Sequence, residues 1–268
     1  MTLTFFLPRE WGRKTLRFAA LLLTAAAPPT RVASLNLCTD ELALVLAAPH
    51  QLASVTWLAA DPHETALATR THGLALNNGR LDSVAALHPD LVLTSGPSTR
   101  YAAELARRMG TRVLDVPPPI TIADVRANVR AVAAALGRPA AAAPILAAFD
   151  HDLGPSIPAR TRALMIQGGG YAPASDGLAA SLLARAGLAQ MATQGGHVDF
   201  ERLLTNPPQV LVTSSYRAGQ TSRAQSWLAH PSLRRLPSRR LTIDGRAWTC
   251  MGSLAARALP GLRVAIAR

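Results

Sequence analysis

The sequence predicts an α/β protein of two similar lobes, each built on a mainly parallel sheet, and three observations carry that prediction. Short apolar runs alternate with helical stretches along the body of the chain. One stretch recurs in each half at a matching place. The segment between the halves reads as a helix and lacks the Gly and Ser of a flexible linker. The length of 268 residues suits two lobes, and with 49% hydrophobic and 16% charged residues each can bury a core.

Strands are expected at 32–37, 52–57, 91–95, 112–116, 163–167, 210–214 and 240–243, each an apolar run bounded by turn or helix signals. Helices are expected at 40–47, 82–87, 99–109, 121–136, 177–186, 200–204 and 251–259. Thr121 with Asp124 three residues later marks a helix start, and Gly137 marks a stop. The repeat pairs DSVAALHPDLVLTS at 82–95 with ERLLTNPPQVLVTS at 201–214, without a gap, at an offset of 119 residues. Each copy runs acid, short helix, proline, strand, Thr-Ser. Residues 140–153 (AAAAPILAAFDHDL) form a helix that stops before Gly154-Pro155. The chain therefore divides into a leader at 1–27, a first lobe at 31–137, a single rigid connecting helix at 138–156 and a second lobe at 157–268, with a ligand cleft between the lobes.

The leader differs in composition from the body. Arg9, Arg13, Lys14 and Arg17 precede the apolar run FAALLLTAAA at 18–27. That run is shorter than the roughly 20 residues needed to cross a bilayer. A basic flank, a short apolar centre and small residues at its end describe a secretory signal, cut near Ala26 or Ala27. Cys38 lies too far downstream, and follows Leu37, to carry a lipid anchor, so the exported protein is expected to be soluble. In an oxidising compartment Cys38 and Cys250 form an even pair, either disulfide-bonded or two buried free thiols.

The formal charge is +12; the leader holds four basic residues and one acid, and its removal leaves +9. Lys14 is the only lysine, and arginine is scattered through every segment, with one cluster at Arg234, Arg235, Arg239 and Arg240. Nucleic-acid binding would need a basic stripe with a reading element, and none is present.

The candidate site lies where ligands enter open parallel sheets, beyond the carboxyl ends of the strands. Of the eight aromatic residues after the leader, Trp57, Tyr101, Tyr171, Tyr216 and Trp248 fall in or next to segments that follow expected strands. Scarce aromatics gathered at one edge suggest a wide apolar pocket for a large ligand. Arg100 and Arg217 adjoin two of the tyrosines, where they could pair with ligand carboxylates or phosphates. Gly168-Gly169-Gly170-Tyr171 follows a strand, but no Gly-Lys-Ser/Thr or dinucleotide glycine spacing accompanies it, and no GxSxG elbow occurs. The seven histidines show no metal-binding spacing. No cofactor, resident metal or catalytic residue is expected.

The segments RVASLNLCTDELALVLA, TWLAADP, LDSVAALHPDLVLTSG and WTCMGS together resemble the periplasmic binding proteins of cobalamin and iron-siderophore ABC importers. The resemblance runs from about Arg31 to the C-terminus. It implies two α/β lobes about a rigid helix, a metal chelate held between them, and delivery to a permease dimer in the inner membrane by a monomeric receptor. It also implies that one carboxylate on each lobe docks on permease arginines. By position in the repeat those are Asp82, where the family usually carries glutamate, and Glu201; the competing role for both is capping of a helix N-terminus. The alternatives are a haem or metal-ion receptor of the same fold, and an α/β enzyme acting on a metal tetrapyrrole.

Export gives the first testable outcome. The intact mass of the protein recovered from the periplasm should match a chain starting near Ala27 with no lipid attached, and a retained N-terminus would overturn the assignment.

Overall fold

The computed structural model describes residues 27–96, 99–193, 196–215, 226 and 229–268, so all of the expected leader except Ala27 lies outside the described residues. Strands β1 (Val32–Ser34), β2 (Leu52–Thr56), β3 (Ala75–Asn77), β4 (Leu91–Thr94) and β5 (Arg112–Asp115) make a five-stranded parallel sheet in the order β3-β2-β1-β4-β5. Strands β6 (Thr161–Ile166), β7 (Leu188–Gln190), β8 (Val210–Ser215) and β9 (Arg239–Asp244) make a four-stranded parallel sheet in the order β7-β6-β8-β9. The central strands are apolar on both faces because helices cover both faces. On β4, Leu91 and Leu93 enter one core cluster and Val92 the opposite one. On β6, Ala163 and Met165 divide in the same way from Leu164 and Ile166. This period of two is the strand pleat expressed as packing.

The sequence repeat is a structural one. Its first copy is a 3-10 helix (Leu81–Leu87) leading into β4, beside β1. Its second copy is helix α5 (Phe200–Thr205) leading into β8, beside β6. The two units therefore occupy equivalent places in the two sheets.

Between the lobes run two helices, α3 (Ile122–Ala135) and α4 (Ala142–Leu153). Helix α4 carries the chain from one lobe to the other, and α3 packs beside it and reaches the same two cores. Val125 of α3 lies in the second-lobe core, while Val129, Val132 and Ala133 lie in the first. On α4 the order is reversed: Ala142 belongs to the first lobe, and Phe149 and Leu153 to the second. The Arg126 guanidinium bridges the pair, 2.7 Å from Asp150 and 5.7 Å over the Phe149 ring. Thr121 and Asp124 start α3 with the expected capping box. Gly137 ends it at φ +69°, where the amides of Gly137 and Arg138 turn back to Ala134 and Ala133. A Cβ at Gly137 would lie 2.6 Å from the Pro28 Cβ, so only glycine fits there.

Edge strands β3 and β7 are absent from the sequence-based expectation. Each has three residues, too few for a periodic signal. The helix expected at 251–259 is displaced: a 3-10 turn at Ala255–Ala258 runs into a helix at Leu259–Ala267, with Pro260 in its first turn. Proline there starts the helix, because the amide it lacks would have no partner in a first turn anyway. Among the described residues no helix is long and apolar enough to cross a membrane.

Phe149 is the largest fully buried side chain on the connecting pair. Phe149→Ala should lower unfolding stability by about 3–5 kcal/mol, read as a fall in the chemical-denaturation midpoint. A change below about 1 kcal/mol would mean that α4 is not anchored in the second core.

Candidate functional site

Sheet order reverses at β1, whose neighbours β2 and β4 follow it in the chain, and the crevice at such a point is where parallel sheets bind ligands. A cavity of about 390 Å³ opens there between the lobes. Its floor is helix α1 (Leu37–Leu46), represented by Thr39 and Glu41, and one wall is Val116 to Pro119, the segment following β5. The second lobe contributes the turn from Thr249 to Ser253, after β9 and the short helix Gly245–Thr249.

Cys38 and Cys250 are joined by a disulfide with Cα atoms 5.1 Å apart, and both residues line the cavity. The bond ties the first turn of α1 to the end of a second-lobe helix, so it crosses the base of the cleft. Met251, the next residue, is left-handed at φ +49°, an uncommon conformation for a residue with a side chain. A second tie lies nearby. Arg246 pairs with Asp244 at 2.6 Å and donates through Nη1 to the Pro62 carbonyl of the first lobe at 2.9 Å.

The Val116–Pro119 wall is held rigid by its neighbours as well as by its prolines. Asn128 Nδ2 donates to the Pro117 carbonyl at 2.8 Å. The Asp124 carboxylate accepts from the amides of Ile120 and Thr121 at 3.1 and 2.8 Å. Hydrogen bonds from the Thr121 hydroxyl and these amides hold that carboxyl below its usual range. A ligand would meet a surface that costs little entropy to order.

Two acids sit in α1, a helix apolar around most of its circumference. Asp40 is buried; its Oδ2 accepts from the Thr56 hydroxyl and amide, and its Oδ1 has no partner among the described residues. Burial pushes its carboxyl up to about 7, against the hydrogen bonds from Thr56. Glu41 is 5% exposed, lines the cavity and accepts from Thr65 Oγ1 at 2.8 Å. Burial pushes it up to about 7 as well; Asp40 adds to the rise, while the Thr65 hydroxyl and the Arg257 charge oppose it.

Several residues expected at the site are placed elsewhere. Trp248 is 3% exposed and packs in the second-lobe core, because it lies on a helix whose apolar face turns inward. Tyr101 is 84% exposed on α2 (Thr99–Met109), where it lines a surface groove with Arg80 and Asp82. Trp57 (55% exposed) and Tyr171 (53%) do stand at the carboxyl ends of β2 and β6, although neither lines the cavity. The Tyr171 ring lies 4.2 Å from that of His197. The Arg100 side chain, Tyr216 and Arg217 lie outside the described residues. Sequence reasoning missed Glu41 and the Val116–Pro119 wall. Both left a signal: acids inside a helix apolar on most sides must be buried, and three prolines after a strand build a stiff surface.

The two repeat acids are exposed at the starts of their helices and neither caps one. Asp199 caps α5 by accepting the Glu201 amide at 2.9 Å, and the 3-10 helix of Asp82 has no side-chain cap. Asp82 instead pairs with Arg80 at 2.7 Å, and this hydrogen bond holds its carboxyl below the usual range.

A model of the periplasmic binding protein family matches residues 32–240. No curated protein sequence matches. Among solved structures, a periplasmic binding protein from Veillonella parvula is similar at 14% identity, covering 90% of this chain and 91% of its own, with a TM-score of 0.69. The periplasmic haem-binding protein BhuT, in complex with two haems, is similar at 20% identity, 87% and 96% coverage and a TM-score of 0.66. The periplasmic vitamin B12-binding protein BtuF of Vibrio cholerae is similar at 17% identity, 88% and 96% coverage and a TM-score of 0.61. At these identities the likeness is one of fold.

The disulfide gives a direct test. Thiol titration in denaturant without reductant should find no free thiol, and reduction should lower stability by about 5 kcal/mol, given the length of the closed loop. Two reactive thiols before reduction would show that the lobes are not tied there.

Proposed function

The chain belongs to the periplasmic binding protein family, and on that premise we propose that it is the periplasmic, soluble receptor of an ABC importer, holding a metal chelate of the siderophore or cobalamin class between its lobes and passing it to the permease. The observation that carries the reading is the cavity where both lobes meet at the carboxyl ends of the first sheet, with a rigid apolar wall and a polar floor. The site is asked only to hold and release. Trp57 and Tyr171, exposed beside the cleft, supply aromatic surface for a large ligand. A haem receptor is the second reading, favoured by the Tyr171–His197 ring pair at the end of β6, since both side chains are of the kind that ligate haem iron.

Asp82 and Glu201 are the proposed docking acids. They occupy equivalent places in the two lobes, and their exposed carboxylates are not used as helix caps. A two-fold permease presents one surface twice, which a matched pair of acids answers. Docking at Asp82 would exchange the Arg80 guanidinium for one on the permease, and exposed pairs of this kind are weakly held. Charge complementarity of this sort governs encounter and register rather than the ligand pocket. Reversing both charges, Asp82→Arg with Glu201→Arg, should leave chelate affinity within about twofold and reduce uptake through the cognate permease at least about tenfold, with smaller losses for the single changes. Normal uptake would place docking elsewhere, and a protein that binds no chelate would overturn the receptor reading itself.

A further inference from the structure

The buried acid of the cavity floor is unused by the receptor reading. Glu41 is the one ionisable side chain among the described residues that line the cavity. The other polar side chains there, among them Asn36, Thr39, Asn128 and Ser253, are uncharged, and no arginine, lysine or histidine joins them. At the start of α1 the Cys38 amide already donates to Asn36 Oδ1 at 2.9 Å. A ligand carboxylate reaching this floor would meet another carboxyl group, with no cation among the described lining residues, which is unfavourable in a water-poor site. An amide carbonyl or a hydroxyl would meet a hydrogen-bond donor whenever Glu41 carries its proton.

We propose that Glu41 is the polar anchor of the cleft and selects a chelate presenting uncharged amide or hydroxyl groups over one presenting carboxylates. The assignment rests on the receptor reading above. Thr65 fixes one oxygen of the acid by donating at 2.8 Å, which sets the carboxyl plane before a ligand arrives. The charges that bear on Glu41 are Asp40, on the same helix, and Arg257, the exposed residue of a 3-10 turn otherwise packed into the second lobe. Asp40 favours the protonated acid and Arg257 the ionised one, and burial outweighs both. With the carboxyl pushed up to about 7, the donor form is populated at and below neutral pH. Above that value the proton leaves and the anchor becomes an acceptor with a full charge. Binding of an uncharged chelate should therefore weaken as pH rises through 7.

Tryptophan-fluorescence titration of the exported protein tests this with two probes: cyanocobalamin, fringed by uncharged amides, and hemin, which carries two carboxylates. Cyanocobalamin should bind at least about tenfold more tightly near pH 6.5, and its Kd should rise roughly tenfold per pH unit once Glu41 ionises. Glu41→Gln keeps a neutral donor and an acceptor for Thr65, so it should keep affinity within about threefold and abolish the pH response. Glu41→Ala should lose about tenfold in affinity. Tighter binding of hemin, or a pH response that survives in Glu41→Gln, overturns the assignment and leaves the receptor reading standing. If neither chelate binds the wild-type protein, the assignment of Glu41 falls, and the receptor reading then stands or falls on the same titration with a ferric siderophore.

Discussion

The constraint on which the rest of the molecule depends is the antiparallel pair α3 and α4, whose apolar side chains are shared between two cores. Val125, Phe149 and Leu153 belong to the second lobe, and Val129, Val132 and Ala142 to the first, so neither core is complete without the helices that leave the other. Sharing of this kind sets the distance between the sheets as firmly as packing sets any core. The cleft is the space that this spacing leaves at the strand ends. The Cys38–Cys250 bond and the Arg246 contact with Pro62 then join its two sides at points far apart in sequence.

The acids of α1 show what such a site costs the fold. A carboxyl whose folded value is raised takes up a proton on folding across the interval between its unfolded and folded values. Stability contributed by Asp40 and Glu41 is therefore greatest below their unfolded values near 4 and declines as pH rises toward about 7. At neutral pH the protein keeps two acids where apolar residues of similar size would be less demanding. Asp40 even leaves one oxygen unanswered in the interior. Groups held against stability in this way concentrate at functional sites. In this chain one of them, Glu41, lines the cavity, and Asp40 is its neighbour on the same helix.

The sequence carried much of the scaffold in legible form. The central strands announced themselves because a parallel strand buried on both faces is a continuous apolar run, as VAS, LVLT and ALMI are here. The repeat at 82–95 and 201–214 located equivalent units in both sheets. What was not legible was short or turned by context. Edge strands of three residues carry no period, and a proline inside an apolar stretch reads equally as a stop or as a first turn.

The site was the less legible part, and the reason is geometric. Position after a strand places a residue near the ligand-binding edge, but the rotation of the next helix decides whether its side chain faces the cleft, the core or solvent. Trp57, Tyr101 and Trp248 all follow strands, yet the first two are exposed and Trp248 is buried in the second-lobe core. The sequence by itself determined the two-lobed α/β class, the helical connection, the matched acids Asp82 and Glu201 and the even pair of cysteines. These follow from composition, periodicity and repetition along one dimension. Only the tertiary structure decided that Cys38 meets Cys250, that Glu41 lies beneath a wall of prolines, and that Trp248 belongs to a core. Each of those depends on which distant segments come together, and that is set by the packing of both lobes against the shared helices.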